Sequence, residues 1–236
     1  MSMIKTTQAY AYVIRKCMAS IPQQRKIAKE LGSKTQKKYA FQFAQSVSRE
    51  LMNILNIPIT ADGVTNIPVD TPVLYVCNHQ GNFDSLGLIA TSPLPISFIS
   101  KKEVKKIPII RNWMALMGCL FIDRKKGKGS AIAIKERFQH VNKGEAFVIY
   151  PEGTRSKSDK MGSFKKGGLQ IAYEVGIPIV PVTISGSYKI MEANKIALTS
   201  SPLTIIYHPV ITPSIGNFED YSAAIYSVIA SSLPKT

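Results

Sequence analysis

Apolar and polar positions follow two different rhythms along this chain, and the change comes near residue 57. Before it the spacing is helical. Thr7 to Ala19 is mostly apolar, broken by Arg15 and Lys16, and Pro22 and Gly32 bracket a short basic stretch from Gln23 to Leu31. Then Ala40, Phe43, Ala44, Val47, Leu51, Met52 and Leu55 recur at helical intervals, with Gln42, Gln45, Ser46, Arg49 and Asn53 between them. That pattern predicts an amphipathic helix, whose apolar face suits either a protein core or a membrane interface. After residue 57, runs of strand length alternate with helical segments. A loop punctuated by Pro58, Gly63 and Pro68 leads to predicted strands at 73–77, 96–100, 119–123, 146–150, 178–184 and 203–210. Helices are expected from about 84, at 108–117, from Ser130 to Val141, from about Gly168, and at about 217–232. The alternation predicts an α/β fold: a central, largely parallel sheet flanked by helices, over 57–236, preceded by a helical segment, 1–56.

Several predicted strands end abruptly in polar residues, which is where α/β folds place their chemistry. Val73 to Cys77 runs into Asn78-His79-Gln80-Gly81-Asn82-Phe83-Asp84. A neutral imidazole can accept a proton from a hydroxyl near neutral pH, and a carboxylate on its other nitrogen fixes the tautomer. On one continuous helix, residues five apart would point about 140° away from each other. His79 and Asp84 therefore meet only if the chain turns between them. Gly81 permits the turn, and Asn82 is placed to cap a helix holding Asp84.

Three further exits resemble this one. Leu120-Phe121-Ile122-Asp123-Arg124 ends in an arginine and a basic loop, and Arg suits a fixed anion site. Phe147-Val148-Ile149-Tyr150 passes into Pro151-Glu152-Gly153-Thr154-Arg155-Ser156, with a glycine for close backbone approach, two hydroxyls and a second guanidinium fork. Ile179 to Gly186 is mostly core in character, with Pro181 marking an edge position or a kink.

Charge narrows the partner. The net charge is +15, and it is concentrated: residues 1–60 carry ten Lys/Arg against Glu30 and Glu50, and 101–128 carry nine against Glu103 and Asp123. Residues 61–100 carry none. An anionic partner is implied, whether nucleic acid, an anionic membrane or a phosphorylated substrate. Cys17, Cys77 and Cys119 form no CxxC pair, which suits a reducing compartment. No signal-peptide pattern opens the chain, and the most apolar stretch, 107–122, contains Arg111 and is too short to span a bilayer. If the protein meets a membrane, it is expected to lie on it. Histidine and cysteine lack metal-ligand spacing, and no serine elbow occurs.

Taken in order, NHQGNFD, LFIDR, YPEGTRS and VPVTISG resemble the four blocks of the PlsC-type glycerolipid acyltransferases, most of all the 1-acyl-sn-glycerol-3-phosphate acyltransferases. The likeness covers residues 74–186, about the central half of the chain. It implies transfer of a fatty acyl group from a thioester, acyl-CoA or acyl carrier protein, to the sn-2 hydroxyl of lysophosphatidic acid, giving phosphatidic acid without a further cofactor or a metal. It implies His79 and Asp84 as the catalytic pair. It places substrate contacts at Arg124, Arg155, the turn Glu152-Gly153-Thr154-Arg155, and a lysine after the second strand, falling on Lys101 with Lys102 beside it. Direct attack by the acceptor hydroxyl is expected, with backbone N–H groups near Gly153 for the oxyanion. Residues 1–56 would associate with the anionic cytoplasmic face of the membrane as a peripheral segment. A different acceptor, such as glycerol 3-phosphate or another lysolipid, stays open within the same resemblance. A non-catalytic membrane-binding module would not need the strand-exit residues. A nucleic-acid-binding protein would explain the charge but not the motifs, and no nucleic-acid module is present.

Overall fold

A computed structural model describes residues 3–30, 33–123, 127–194, 197–213 and 216–234. Among these residues the apolar runs form seven strands: β1 (Ile59–Asp62), β2 (Val73–Cys77), β3 (Ile96–Lys101), β4 (Leu120–Ile122), β5 (Ala146–Ile149), β6 (Ile179–Ser185) and β7 (Leu203–Tyr207). They pair in the order β1-β7-β6-β2-β5-β3-β4. All neighbours are parallel except β6 and β7. The fold class is therefore α/β with a mostly parallel sheet, as the alternation predicts.

Helices cover both faces: α1 (Met3–Ala19), α2 (Ile21–Glu30), α3 (Ser33–Ile54), α4 (Phe83–Thr91), α5 (Pro108–Leu116), α6 (Gly127–Gln139), α7 (Lys166–Val175), the single turn α8 (Ser187–Ile190) and α9 (Phe218–Ser231). Strand β2 is buried along its whole length because both its faces are covered. Val73, Tyr75 and Cys77 join one core with Ala9, Ile27, Ala40, Leu51, Leu88 and Trp113 from α1 to α5. Leu74 and Val76 join the other, with Phe138, Leu169, Ala172 and Ile225 from α6, α7 and α9.

The N-terminal helices thus share a core with the sheet. The face predicted for α3 is the one that packs: Ala40, Leu51, Met52 and Leu55 are buried, and Phe43 stacks on Trp113 with ring centroids 4.0 Å apart. Burying four such side chains stabilises by several kcal/mol, at about 1.5–3 kcal/mol for each large one.

Two expectations are corrected. The segment after Pro58, expected to be a loop, holds β1, which pairs with β7 through Ile59↔Leu203 to Asp62↔Ile206. Four residues between a proline and a glycine are too few to show alternation. Pro181 is not at an edge, since β6 lies between β2 and β7. Its carbonyl accepts from His208 N–H at 2.9 Å, just past the end of β7, so its missing donor faces the β7 side beyond the regular ladder.

Candidate active site

Strands β5, β2 and β6 are parallel neighbours, so their exits reach the same edge of the sheet. Asn78 locks the middle exit to β6. Its amide donates to Ile184 O at 2.8 Å, and Ile184 N–H donates back to its oxygen at 2.7 Å. His79 is clamped on the other side: its N–H donates to Glu152 Oε1 at 2.6 Å and its carbonyl accepts from Ser156 N–H at 2.8 Å.

The chain then turns, and His79 meets Asp84. Nδ1 lies 2.7 Å from Oδ2 of Asp84, a fully buried carboxylate in the first turn of α4. The same oxygen accepts from Gly81 N–H at 3.0 Å, and Oδ1 accepts from the Ser187 hydroxyl. These donors give both oxygens of the buried carboxylate hydrogen-bond partners at the N-terminal end of α4. With Nδ1–H given to Asp84, Nε2 keeps its lone pair, and the ring remains about one-fifth exposed. Tyr150 stacks on the imidazole, centroids 4.1 Å apart and planes 18° off parallel, while its hydroxyl bonds Ser85 at 3.0 Å. Burial pushes the Tyr150 phenol well above its ordinary range, so it stays neutral beside the dyad.

The turn works differently from expectation. Gly81 is not left-handed; it lacks a side chain because an added Cβ would lie 2.4 Å from Glu192 Oε2. Asn82 occupies the cap position without capping through its side chain. Its backbone N–H donates to Glu192 Oε1 at 2.8 Å instead.

That same Glu192 oxygen receives Arg155 Nη1 at 2.9 Å. Arg155 is therefore held at the dyad's edge by one arm, partly exposed, against a carboxylate that is 4% exposed. Glu152, expected to contact substrate, is buried, and its oxygens are taken by His79 N–H and by Gly162 N–H at 2.8 Å. Burial raises its pKa above the usual glutamate range, against the pull of those two N–H groups. It supports the site from behind. Gly153 N–H closes a turn on Tyr150 O at 3.0 Å, so an oxyanion donor in this turn would be one of the neighbouring N–H groups. Thr154 is exposed beside it.

Lys101 ends β3 on the same sheet edge with an exposed side chain, whereas Lys102 is bound to Asp123 at 2.6 Å. Arg124 lies outside the described residues. The other histidines are engaged elsewhere: His208 bonds Thr183 Oγ1 at 2.9 Å, with burial lowering its pKa, and His140 bonds Glu136 O at 2.6 Å. Sequence reasoning missed Ser187 and Glu192. Both follow β6 and reach Asp84, Asn82 and Arg155 across more than a hundred residues or, for Arg155, 37, so no local spacing reveals them.

A model of the acyltransferase family matches residues 58–185. The chain belongs to the acyltransferase family. The matched span of this acyltransferase contains His79, Asp84 and Arg155 and stops before Ser187 and Glu192. Among curated relatives, a probable 1-acyl-sn-glycerol-3-phosphate acyltransferase of Mycoplasma genitalium is 41% identical over 130 residues, 52% of this chain and 48% of that protein. A chloroplastic 1-acyl-sn-glycerol-3-phosphate acyltransferase of Arabidopsis thaliana is 37% identical over 138 residues, 58% of this chain and 38% of that protein. The acyltransferase thus matches about half the length of these relatives or less. The crystal structure of the 1-acyl-sn-glycerophosphate acyltransferase PlsC from Thermotoga maritima superposes with a TM-score of 0.86 at 22% identity, over 97% of this chain and 93% of that one, which shows a shared fold.

Proposed function

We propose that this acyltransferase moves a fatty acyl group from an acyl thioester to the sn-2 hydroxyl of lysophosphatidic acid, producing phosphatidic acid. The observation that carries the reading is the His79–Asp84 pair, with Arg155 bound to Glu192, the carboxylate that also accepts from the N–H of Asn82 in the turn between them. The names of the curated relatives point to the same acceptor. Nε2 takes the proton of the acceptor hydroxyl as its oxygen attacks the thioester carbonyl. The tetrahedral intermediate then expels the thiolate, which takes that proton back from the imidazolium. Asp84 stabilises the imidazolium between the two transfers. Arg155 and Lys101, together with Arg124 as the family resemblance implies, would hold the acceptor's phosphate. The donor is acyl-CoA or acyl carrier protein.

The membrane carries the acceptor and takes the product, and α1 supplies a surface to meet it. Met3, Ile4, Tyr10, Ile14 and Met18 are 41–66% exposed, and Ile107 and Ile110 at the start of α5 are exposed too. Basic residues in α1 and α2 stand close by. Among the described residues no helix is long and apolar enough to cross a membrane. The protein would therefore lie on the anionic cytoplasmic face as a peripheral enzyme, through α1 rather than the packed face of α3.

The test is thiol release from acyl-CoA with lysophosphatidic acid, monoacylglycerol or glycerol 3-phosphate as acceptor, with chromatography of the lipid product. Phosphatidic acid formed from lysophosphatidic acid at the highest kcat/KM supports the reading. Faster turnover of another acceptor replaces it.

A further inference from the structure

Asp84 divides its work between two oxygens. Oδ2 holds the imidazole and Gly81 N–H, and Oδ1 is held by the Ser187 hydroxyl. Ser187 and Asp84 are both fully buried, so this contact is sealed from water. The turn that delivers the hydroxyl is built for its position. Gly186 is left-handed, φ 89°, and a Cβ there would lie 2.1 Å from Pro202 O. Gly186 N–H is fixed by Gln80 Oε1 at 2.9 Å, so the residue after His79 anchors the turn that anchors Asp84. Ser187 then begins α8, just past the end of the family-matched span.

We propose that Ser187 is a positioning residue for the acyl transfer: its hydroxyl fixes the Asp84 carboxylate so that Oδ2 faces His79 Nδ1. The proposal rests on the function proposed above. A carboxylate held at one oxygen by the imidazole and one N–H can still rotate about its Cβ–Cγ bond. The hydroxyl on the other oxygen removes that freedom, and a bond to a charged acceptor is among the stronger ones. A buried serine would also seek an acceptor for its own sake. The two cases differ in whether the effect of Ser187 passes through the charge of Asp84.

Ser187→Ala and Ser187→Thr are compared in the wild type and in Asp84→Asn, by thiol release with acyl-CoA and lysophosphatidic acid, with thermal unfolding as the check on folding. In the wild-type background, Ser187→Ala lowers kcat about 10-fold or more while KM for both substrates stays within about threefold, and Ser187→Thr recovers part of the rate. In the Asp84→Asn background the further loss is below about twofold, because residues acting as one unit are not additive. An equal loss in both backgrounds, or none in either, overturns the proposal. A second measurement needs no substrate. The NMR resonance of the His79 Nδ1 proton, identified by its absence in His79→Ala, shifts on Ser187→Ala in the free protein. An unmoved resonance overturns the proposal, whereas a wild type that makes no phosphatidic acid overturns the proposed acceptor instead.

Discussion

Replacing Glu152 by Gln separates a supporting role from a binding one. The Glu152 side chain is buried, and its two oxygens accept from His79 N–H at 2.6 Å and Gly162 N–H at 2.8 Å. An amide keeps one acceptor and turns an NH2 toward the other donor. One buried N–H is then unpaired, at a cost of about 1–3 kcal/mol. For a chain of this size a loss of about 2 kcal/mol lowers the melting temperature by roughly 4–8 °C. The pH dependence has a definite sign. Because burial raises the Glu152 pKa, this group contributes stability that is full below the ordinary glutamate range. That stability is lost as pH rises through the raised value, so the gap between wild type and variant is widest in acid and narrows towards neutral pH. Calorimetry across that range measures both quantities. Since the lost bond anchors the backbone of His79, kcat falls with it, while KM for the acceptor stays close to the wild-type value. A variant that melts with the wild type and loses only acceptor affinity refutes this placement and returns Glu152 to the substrate.

The other predictions concern the surface and the anion site. Ile14→Glu with Met18→Glu alters two side chains that are 59% and 60% exposed, so folding stability stays within about 0.5 kcal/mol of wild type. Co-sedimentation with anionic vesicles weakens about 100-fold or more, since each lost insertion is worth about 1.5–3 kcal/mol; unchanged pelleting removes α1 from the membrane contact. Arg155→Lys keeps the charge and loses the planar fork that reaches Glu192, so KM for lysophosphatidic acid rises. An equal loss with uncharged monoacylglycerol would show that Arg155 does not read the phosphate.

Much of this was legible in the chain because the relevant signals are local. Val73 to Cys77 and Ala146 to Ile149 are short apolar runs that end at polar residues, and both are central strands with the chemistry at their exits. The meeting of His79 with Asp84 could be posed as a condition, a turn between them, and the structure meets it. What was not legible depends on distant partners. The alternation in β7 shows a strand but not that it runs against β6 and alongside β1. An amphipathic pattern fits a core and a bilayer equally, so only packing shows that α3 faces inward and α1 presents Ile14 and Met18 outward. Glu152 reads as a ligand group in its motif, and its burial under Gly162 is a tertiary fact. Ser187 and Glu192 follow a strand that reads as plain core, and nothing near them in sequence says which carboxylate or guanidinium they meet.

In the proposed reaction His79 is the base that frees the acceptor hydroxyl. The most direct test of this role is the rate of thiol release from acyl-CoA in the presence of lysophosphatidic acid, for wild type and for His79→Ala shown by circular dichroism to be folded. The substitution lowers kcat roughly 10²–10⁴-fold, the usual worth of a positioned general base. A folded His79→Ala protein that keeps a near-normal rate would contradict it.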